Sequence, residues 1–228
     1  MCGIVDAELR DSLLIAKFLI ENSQPRTLCP WSDYADCNLI FADGAADDLQ
    51  PSSIVCSNPS SDGFDFPVTQ NVTVGGIIFS PRLKKPQFFG LTVTSEIVKL
   101  WQSTGSRQVI AQGELLPVLL AKRCWKGVLS HARNLFFIDN GGAREGLISG
   151  FSSSWSARQL LLLCKMEDAR ARSVDWYARV PTKANWGDGP SRLQFDEVNS
   201  IGAERIEVSC VSVSQLDRVD VLSLLRSL

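Results

Sequence analysis

The sequence predicts an α/β protein in which a mixed β-sheet is flanked by helices. Two observations predict this class: three strand-like segments follow one another in the first half of the chain, and helices then alternate with further strands. The 228 residues, of which 45% are hydrophobic, are enough to bury one sizeable core. We therefore expect one main domain with smaller extensions.

The first half of the chain is predicted to hold one helix and three strands. Residues 7–21 space their apolar side chains largely as a helix does, and Pro25 closes this segment. Short apolar runs bounded by turn residues then predict three neighbouring strands. These strands cover residues 38–41, 72–79 and 87–93.

A long loop is predicted between the first two strands. Residues 44–66 are rich in Ser, Pro, Asp and Gly, a composition typical of loops. A loop of this length is unusual in a compact domain, so we interpret it as an insertion at about residues 44–70.

Helices alternate with strands in the second half. The predicted helices cover residues 95–101, 114–129, 143–148, 156–171 and 215–228, and the predicted strands cover residues 134–138, 176–180 and 205–213. Pro117 fits its helix only if Glu114 lies at the very start, because an interior proline loses a backbone hydrogen bond. Trp125 and Trp176 are expected to pack in the core.

Several kinds of site and location are disfavoured by the composition. Seven scattered cysteines without a CxxC pair indicate neither a disulfide framework nor a zinc site, and His131 is the single histidine. The longest apolar runs are far shorter than the roughly 20 residues of a membrane-spanning helix. The first twenty residues do not read as a secretory signal, so we expect an intracellular protein, with nucleus and cytoplasm undistinguished.

Four carboxylates stand where predicted elements begin or end. Asp43 ends the first strand and Asp139 ends the strand at 134–138, while Glu114 opens a helix and Asp188 follows the strand at 176–180. Each acid alone could be an ordinary cap or surface charge. Together they are the strongest candidates for chemistry, because a sheet-based site collects its groups at such positions.

Five motifs occur in order between residues 39 and 195. They read IFADGAA, VGGIIFSP, QVIAQGELLPVLLA, FFIDNGGAREGLISG and RVPTKANWGDGPSRL. Their ordered combination resembles the ribonuclease H-like domain of retroelement reverse transcriptase polyproteins. The resemblance implies a ribonuclease H-like, mixed five-stranded sheet, with three antiparallel strands and then parallel strands, over residues 38–196. Residues 1–27 look like the connecting helix of such polyproteins, and residues 197–228 would form a strand and helix extension.

The resemblance also implies an activity and a metal site. Asp43, Glu114, Asp139 and Asp188 would be the catalytic residues and would hold two Mg²⁺ or Mn²⁺ ions, which favour carboxylate oxygens. The reaction would be endonucleolytic hydrolysis of the RNA strand of an RNA/DNA hybrid. The expected partners are the hybrid itself and a reverse transcriptase polymerase domain in a longer polyprotein, of which this chain would be a fragment or a domesticated end.

Seven further residues are candidates for contacts with nucleic acid. They are Gln112, Asn140, Arg144, Trp155, Lys183, Trp186 and Arg192. Each has a second interpretation. The two amides could bond the nearby backbone, the basic residues could be solvated surface charges, and the tryptophans could pack against the protein.

Two other functions remain open from the sequence. The net charge of −2, the acidic insertion and a loop at 182–186 without histidine favour a catalytically weak or inactive remnant that binds nucleic acid or a partner. Bound divalent ions would reverse the local charge, so this evidence is weak. A different nuclease on the same scaffold is the third hypothesis, since one fold hosts several reactions.

Overall fold

A computed structural model describes residues 7–22, 37–48, 68–103 and 108–208, and a six-stranded mixed sheet forms its centre. The strands are β1 (Cys37–Asp48), β2 (Gln70–Phe79), β3 (Gln87–Thr92), β4 (Arg133–Ile138), β5 (Val174–Arg179) and β6 (Glu204–Arg205). They lie side by side in the order β5-β4-β1-β2-β3-β6. The first three are antiparallel, and β4 and β5 continue the sheet parallel to β1. The predicted fold class is confirmed.

The sheet has six strands instead of the predicted five. The additional strand, β6, is two residues long and pairs with β3 in parallel. Two backbone hydrogen bonds make the pairing, since the Glu204 nitrogen donates to the Pro86 carbonyl and the nitrogen of the next residue after β6, Ile206, donates to the Phe88 carbonyl, both at 2.8 Å. The predicted strand at 205–213 is therefore shifted and short within the described range. Residues 209–228, including the predicted last helix, lie outside the described residues.

Eight α-helices complete the described part of the chain. They are α1 (Ala7–Asn22), α2 (Ser95–Ser103), α3 (Ile110–Cys124), α4 (Lys126–Leu129), α5 (Gly141–Ser149), α6 (Trp155–Ala171), α7 (Asp188–Ser191) and α8 (Asp196–Ser200). Because α3 is apolar on nearly every side, it is buried between the sheet and α6. The α7 helix contacts β1, β2 and β3.

The main core lies on the face of the sheet that α3 and α6 cover. Alternation along β1 sends Ile40 and Ala42 into this core, where Phe136 of β4 and Leu116 of α3 join them. The opposite face carries a smaller cluster that includes Ile77 and Phe88. Asp43 follows the alternation of β1 onto this second side, toward α7.

The first strand is longer than the sequence indicates. β1 continues to Asp48, which pairs with Gln70 of β2. The predicted loop therefore does not begin at Gly44. The reason is that small residues from Gly44 to Ala46 lie opposite Val72 and Val74, which are fully buried. Residues 49–67 of the predicted insertion lie outside the described residues.

The predicted helix at 114–129 starts earlier and is interrupted. It begins at Ile110 and breaks at Trp125 into α3 and α4, so Pro117 is an interior residue and the expectation about its position was wrong. Pro117 has no N–H to offer the Gly113 carbonyl four residues before it. A Cβ added to Gly44 would be 2.3 Å from that carbonyl oxygen, so the oxygen lies where a side chain would otherwise be.

The two tryptophans that were expected in the core have different environments. Trp125 is 2% exposed and packs against Phe89, which confirms the expectation for this residue. Trp176 is 63% exposed, so its expectation was wrong. It lies on the edge strand β5, and its neighbour Tyr177 occupies the face that the helices cover. Alternation then directs Trp176 away from the core.

Candidate metal centre

Three carboxylates meet at one edge of the sheet. Asp43 lies in β1, Asp139 directly follows β4, and Glu114 is the fifth residue of α3. One oxygen from each of these carboxylates lies within 4.8 Å of the other two. Because β1 and β4 are parallel neighbours and Phe41 pairs with Phe137, Asp43 and Asp139 both lie two residues beyond the last pair of this ladder and are side by side.

A close backbone contact between β1 and α3 brings Glu114 to the aspartates. A Cβ added to Gly44 would be 2.3 Å from the Gly113 carbonyl oxygen and 2.9 Å from the Glu114 nitrogen. Only glycine leaves room for this approach. The Gly44 backbone and the Asn140 side chain lower the pKa of Glu114, but by less than burial raises it.

Ionisation of the Asp43 carboxyl group is unfavourable in its buried position. The pKa of Asp43 is raised to about 7, mainly by burial and also by the nearby carboxylates of Asp139 and Asp188, while a hydrogen bond from Ser191 opposes the rise. Ser191 Oγ donates to Asp43 Oδ2 at 2.5 Å, and Asn185 Nδ2 donates to Oδ1 at 3.3 Å. Both oxygens of this carboxylate therefore have a donor.

Glu114 is the most perturbed acid of the group. Burial raises the pKa of Glu114 to about 9, with Asp43 and Asp139 adding electrostatic repulsion. Its Oε2 atom is buried and has no hydrogen-bond partner among the described residues. A buried carboxylate oxygen without a donor is unfavourable unless a proton or a cation neutralises it.

The donor set fits a hard divalent cation. Three carboxylates that repel one another, with one buried oxygen that no described residue pairs, are suited to Mg²⁺ or Mn²⁺, which bind oxygen ligands and retain waters. A bound ion would favour the ionised forms of Asp43 and Glu114 in place of their protons. Asp43, Glu114 and Asp139 could thus hold a metal ion.

Asp188, the fourth predicted ligand, lies beside this group. It is the first residue of α7 and adds to the repulsion felt by Asp43, but it is not part of the three-carboxylate group. Its Oδ1 accepts a hydrogen bond from Arg192 Nε at 3.1 Å, and its side chain is 34% exposed. Its role as a ligand stays a prediction.

Asn185 and Ser191 escaped the sequence analysis, although both contact Asp43. A signal for Ser191 was present, because a residue three positions after Asp188 shares its side of a helical turn. Glycines of the sheet let this helix approach. A Cβ on Gly75 would be 2.3 Å from the Ser191 nitrogen, and one on Gly90 would be 2.5 Å from the Pro190 carbonyl oxygen.

The two amides predicted to contact nucleic acid are engaged within the protein. Gln112 is 1% exposed, and its Nε2 donates to the hydroxyls of Ser154 and Ser156 at 3.1 and 2.9 Å. Asn140 caps α5, with its Oδ1 accepting from the Ala143 nitrogen at 3.0 Å. For Asn140, this bond agrees with the alternative to a nucleic-acid contact, namely a hydrogen bond to the nearby backbone. Contacts of either amide with nucleic acid stay predictions.

The other predicted contact residues lie in varied surroundings. Arg144 Nε donates to the Tyr177 carbonyl at 3.1 Å, and Arg192 is paired with Asp188. The half-buried Trp186 packs edge-on against Phe79, with ring centroids 5.8 Å apart. The half-buried Trp155 begins α6, and the exposed Lys183 lies in a 3₁₀ turn. Their binding roles stay predictions.

Solved structures similar to this chain include ribonuclease H domains. Ribonuclease H1 of Halobacterium salinarum is 13% identical, with a TM-score of 0.44, and the match covers 71% of this chain and 98% of that one. LC11 ribonuclease H1 in complex with an RNA/DNA hybrid is 9% identical, with a TM-score of 0.44 and coverage of 71% and 99%. Prototype foamy virus protease-reverse transcriptase is 10% identical, with a TM-score of 0.41 and coverage of 78% and 22%.

No family model matches the sequence, and no curated protein matches it. The fold class is the predicted ribonuclease H-like one, with β2 and β3 antiparallel on one side of β1 and with β4 and β5 parallel on the other side. None of the helices in the described ranges is long and apolar enough to cross a membrane.

Proposed function

We propose that this domain is a metal-dependent endonuclease that hydrolyses the RNA strand of RNA/DNA hybrids and derives from a retroelement. The observation that carries the proposal is the group of Asp43, Glu114 and Asp139, in which Glu114 Oε2 is buried with no hydrogen-bond partner in the described part of the chain. The choice of substrate rests on the ordered sequence motifs. An intracellular location and an attached polymerase domain stay predictions.

The carboxylates would act as ligands that hold and orient two ions. Asp43, Glu114 and Asp139 form the existing group, and Asp188, held by Arg192, is the fourth ligand in this proposal. When bound, such ions supply an activated water and stabilise the leaving 3′ oxygen of the cleaved phosphodiester. No histidine or serine nucleophile is needed for this reaction.

The proposal is tested by cleavage of an end-labelled RNA/DNA hybrid with the full chain and Mg²⁺ or Mn²⁺. Single-stranded RNA and duplex DNA serve as comparison substrates. We expect internal cuts confined to the RNA of the hybrid. Asp139→Asn should abolish cleavage because it removes a ligand, whereas Asp196→Asn, at an exposed acid that begins α8, should retain it.

Each other outcome selects a different function. Binding of the hybrid without cleavage by the unmodified chain would favour the inactive remnant. Cleavage of duplex DNA but not of the hybrid would favour another nuclease on this scaffold. Cleavage that survives Asp139→Asn would contradict the assignment of the site.

A further inference from the structure

Ser191 connects two of the proposed ligands. Its side chain is fully buried at the end of α7, and its Oγ lies 2.5 Å from Asp43 Oδ2 and 2.8 Å from the main-chain carbonyl of Asp188. The Ser191 hydroxyl therefore contacts both the side chain of Asp43 and the backbone of Asp188.

The hydroxyl has one proton and two acceptors within reach. An ionised carboxylate is a stronger acceptor than a carbonyl, and its contact is the shorter one, so the proton belongs to the bond with Asp43. Asn185 donates to the other oxygen of Asp43 at 3.3 Å. Together the two donors fix the rotation of the carboxylate and leave further lone pairs for a cation.

The backbone around Ser191 allows little adjustment. The Ser191 nitrogen lies 2.3 Å from where a Cβ of Gly75 would be, and it also donates to the Gly187 carbonyl at 2.9 Å. Pro190 is equally close to Gly75 and approaches Gly90. The hydroxyl is thus held against Asp43 by close packing of α7 on β2 and β3.

We propose that Ser191 is a positioning residue that orients the Asp43 carboxylate for divalent cation binding and keeps the Asp188 helix beside it. This inference rests on the proposed function. Groups that hydrogen-bond a metal ligand hold its orientation, and their removal weakens metal affinity about tenfold or more. Ser191 itself is not a ligand and does not touch the reacting atoms in this proposal.

The test measures Mn²⁺ affinity by titration calorimetry and thermal stability in EDTA, using the full chain. Ser191→Ala removes the hydroxyl, and Ser191→Cys replaces it with a weak donor of similar size in case the alanine variant folds poorly. Ser156→Ala is the matched control, because Ser156 is also a buried serine with hydrogen bonds and lies outside the carboxylate group. Asp43→Asn reports on the metal site itself.

We expect both Ser191 variants to raise the Kd for Mn²⁺ about tenfold. We expect Ser156→Ala to bind Mn²⁺ with the same Kd as the unmodified chain, even if its melting temperature in EDTA falls as much as those of the Ser191 variants. Unchanged affinity in both Ser191 variants would overturn the inference, and so would an equal loss of affinity in Ser156→Ala. If Asp43→Asn binds Mn²⁺ as tightly as the unmodified chain, the proposed metal site itself is wrong.

Discussion

The backbone nitrogen of Ser191 lies where the side chain of any residue other than glycine at position 75 would begin. A Cβ on Gly75 would be 2.3 Å from this nitrogen and 2.3 Å from the Pro190 carbonyl carbon. Gly75 also pairs across the sheet with Asp43. Gly75 therefore lies beside Asp43 and, because it has no side chain, leaves room for the α7 helix that contacts Asp43.

Gly75→Ala should displace α7 from the sheet. Overpacking of this kind costs about 1–3 kcal/mol of unfolding free energy, and the loss of the Ser191 contact should reduce nuclease activity as well. Gly127→Ala is the control, because Gly127 lies in α4 and no atom of the described residues is within 4 Å of an added Cβ. We expect that variant to be slightly more stable, by about 0.5–1 kcal/mol. Urea denaturation measures both, and equal stabilities of the two variants would contradict the close contact.

Glu114→Gln should separate folding from metal binding. Because burial raises the pKa of Glu114 to about 9, this side chain is mostly neutral at pH 8 without metal, and glutamine resembles that form. In EDTA the variant should therefore melt at the same temperature as the unmodified chain or higher. Thermal denaturation with added Mg²⁺ should stabilise the unmodified chain but not the variant. The exposed Glu145→Gln should respond to Mg²⁺ normally, and a normal response of Glu114→Gln would exclude Glu114 as a ligand.

Stability without metal should fall as the pH rises from about 5 to 9. The pKa values of Asp43 and Glu114 are raised to about 7 and about 9, so the folded state binds more protons than the unfolded state in this window. Unfolding free energy then decreases with increasing pH. Mg²⁺ replaces these protons, so its stabilising effect should grow over the same range. Melting curves in EDTA and in Mg²⁺ at several pH values test this, and a flat EDTA profile would contradict the raised pKa values.

The two tryptophans with opposite environments should respond differently to removal. Trp125→Ala leaves a cavity beside Phe89 and should cost about 3–5 kcal/mol of unfolding free energy. Trp176→Ala removes a side chain that is 63% exposed and should change stability by no more than about 0.5 kcal/mol. Chemical denaturation of the two variants gives the comparison, and similar losses would show that Trp176 is covered in solution.

Much of the fold could be predicted because its signals are local. Apolar spacing located the strands around Ile40 and Phe136 and the helix at 156–171, and each is present within a few residues. The boundaries differ where small residues or a proline hide the pattern. β1 continues past Gly44, and α3 begins before Glu114, because pairing partners and buried neighbours extend both elements beyond their local signals.

The sequence by itself determined the α/β class and four candidate acids, because acids near predicted element ends are visible in order along the chain, whereas the structure decided that Asp43, Glu114 and Asp139 meet. Only the tertiary structure decided the sixth strand, the outward face of Trp176 and the contact between Asp43 and Ser191, which are 148 residues apart. These features depend on which elements become neighbours in space. Strand pairing and the close approach of helices through glycine residues set that arrangement, and neither leaves a local periodic signal.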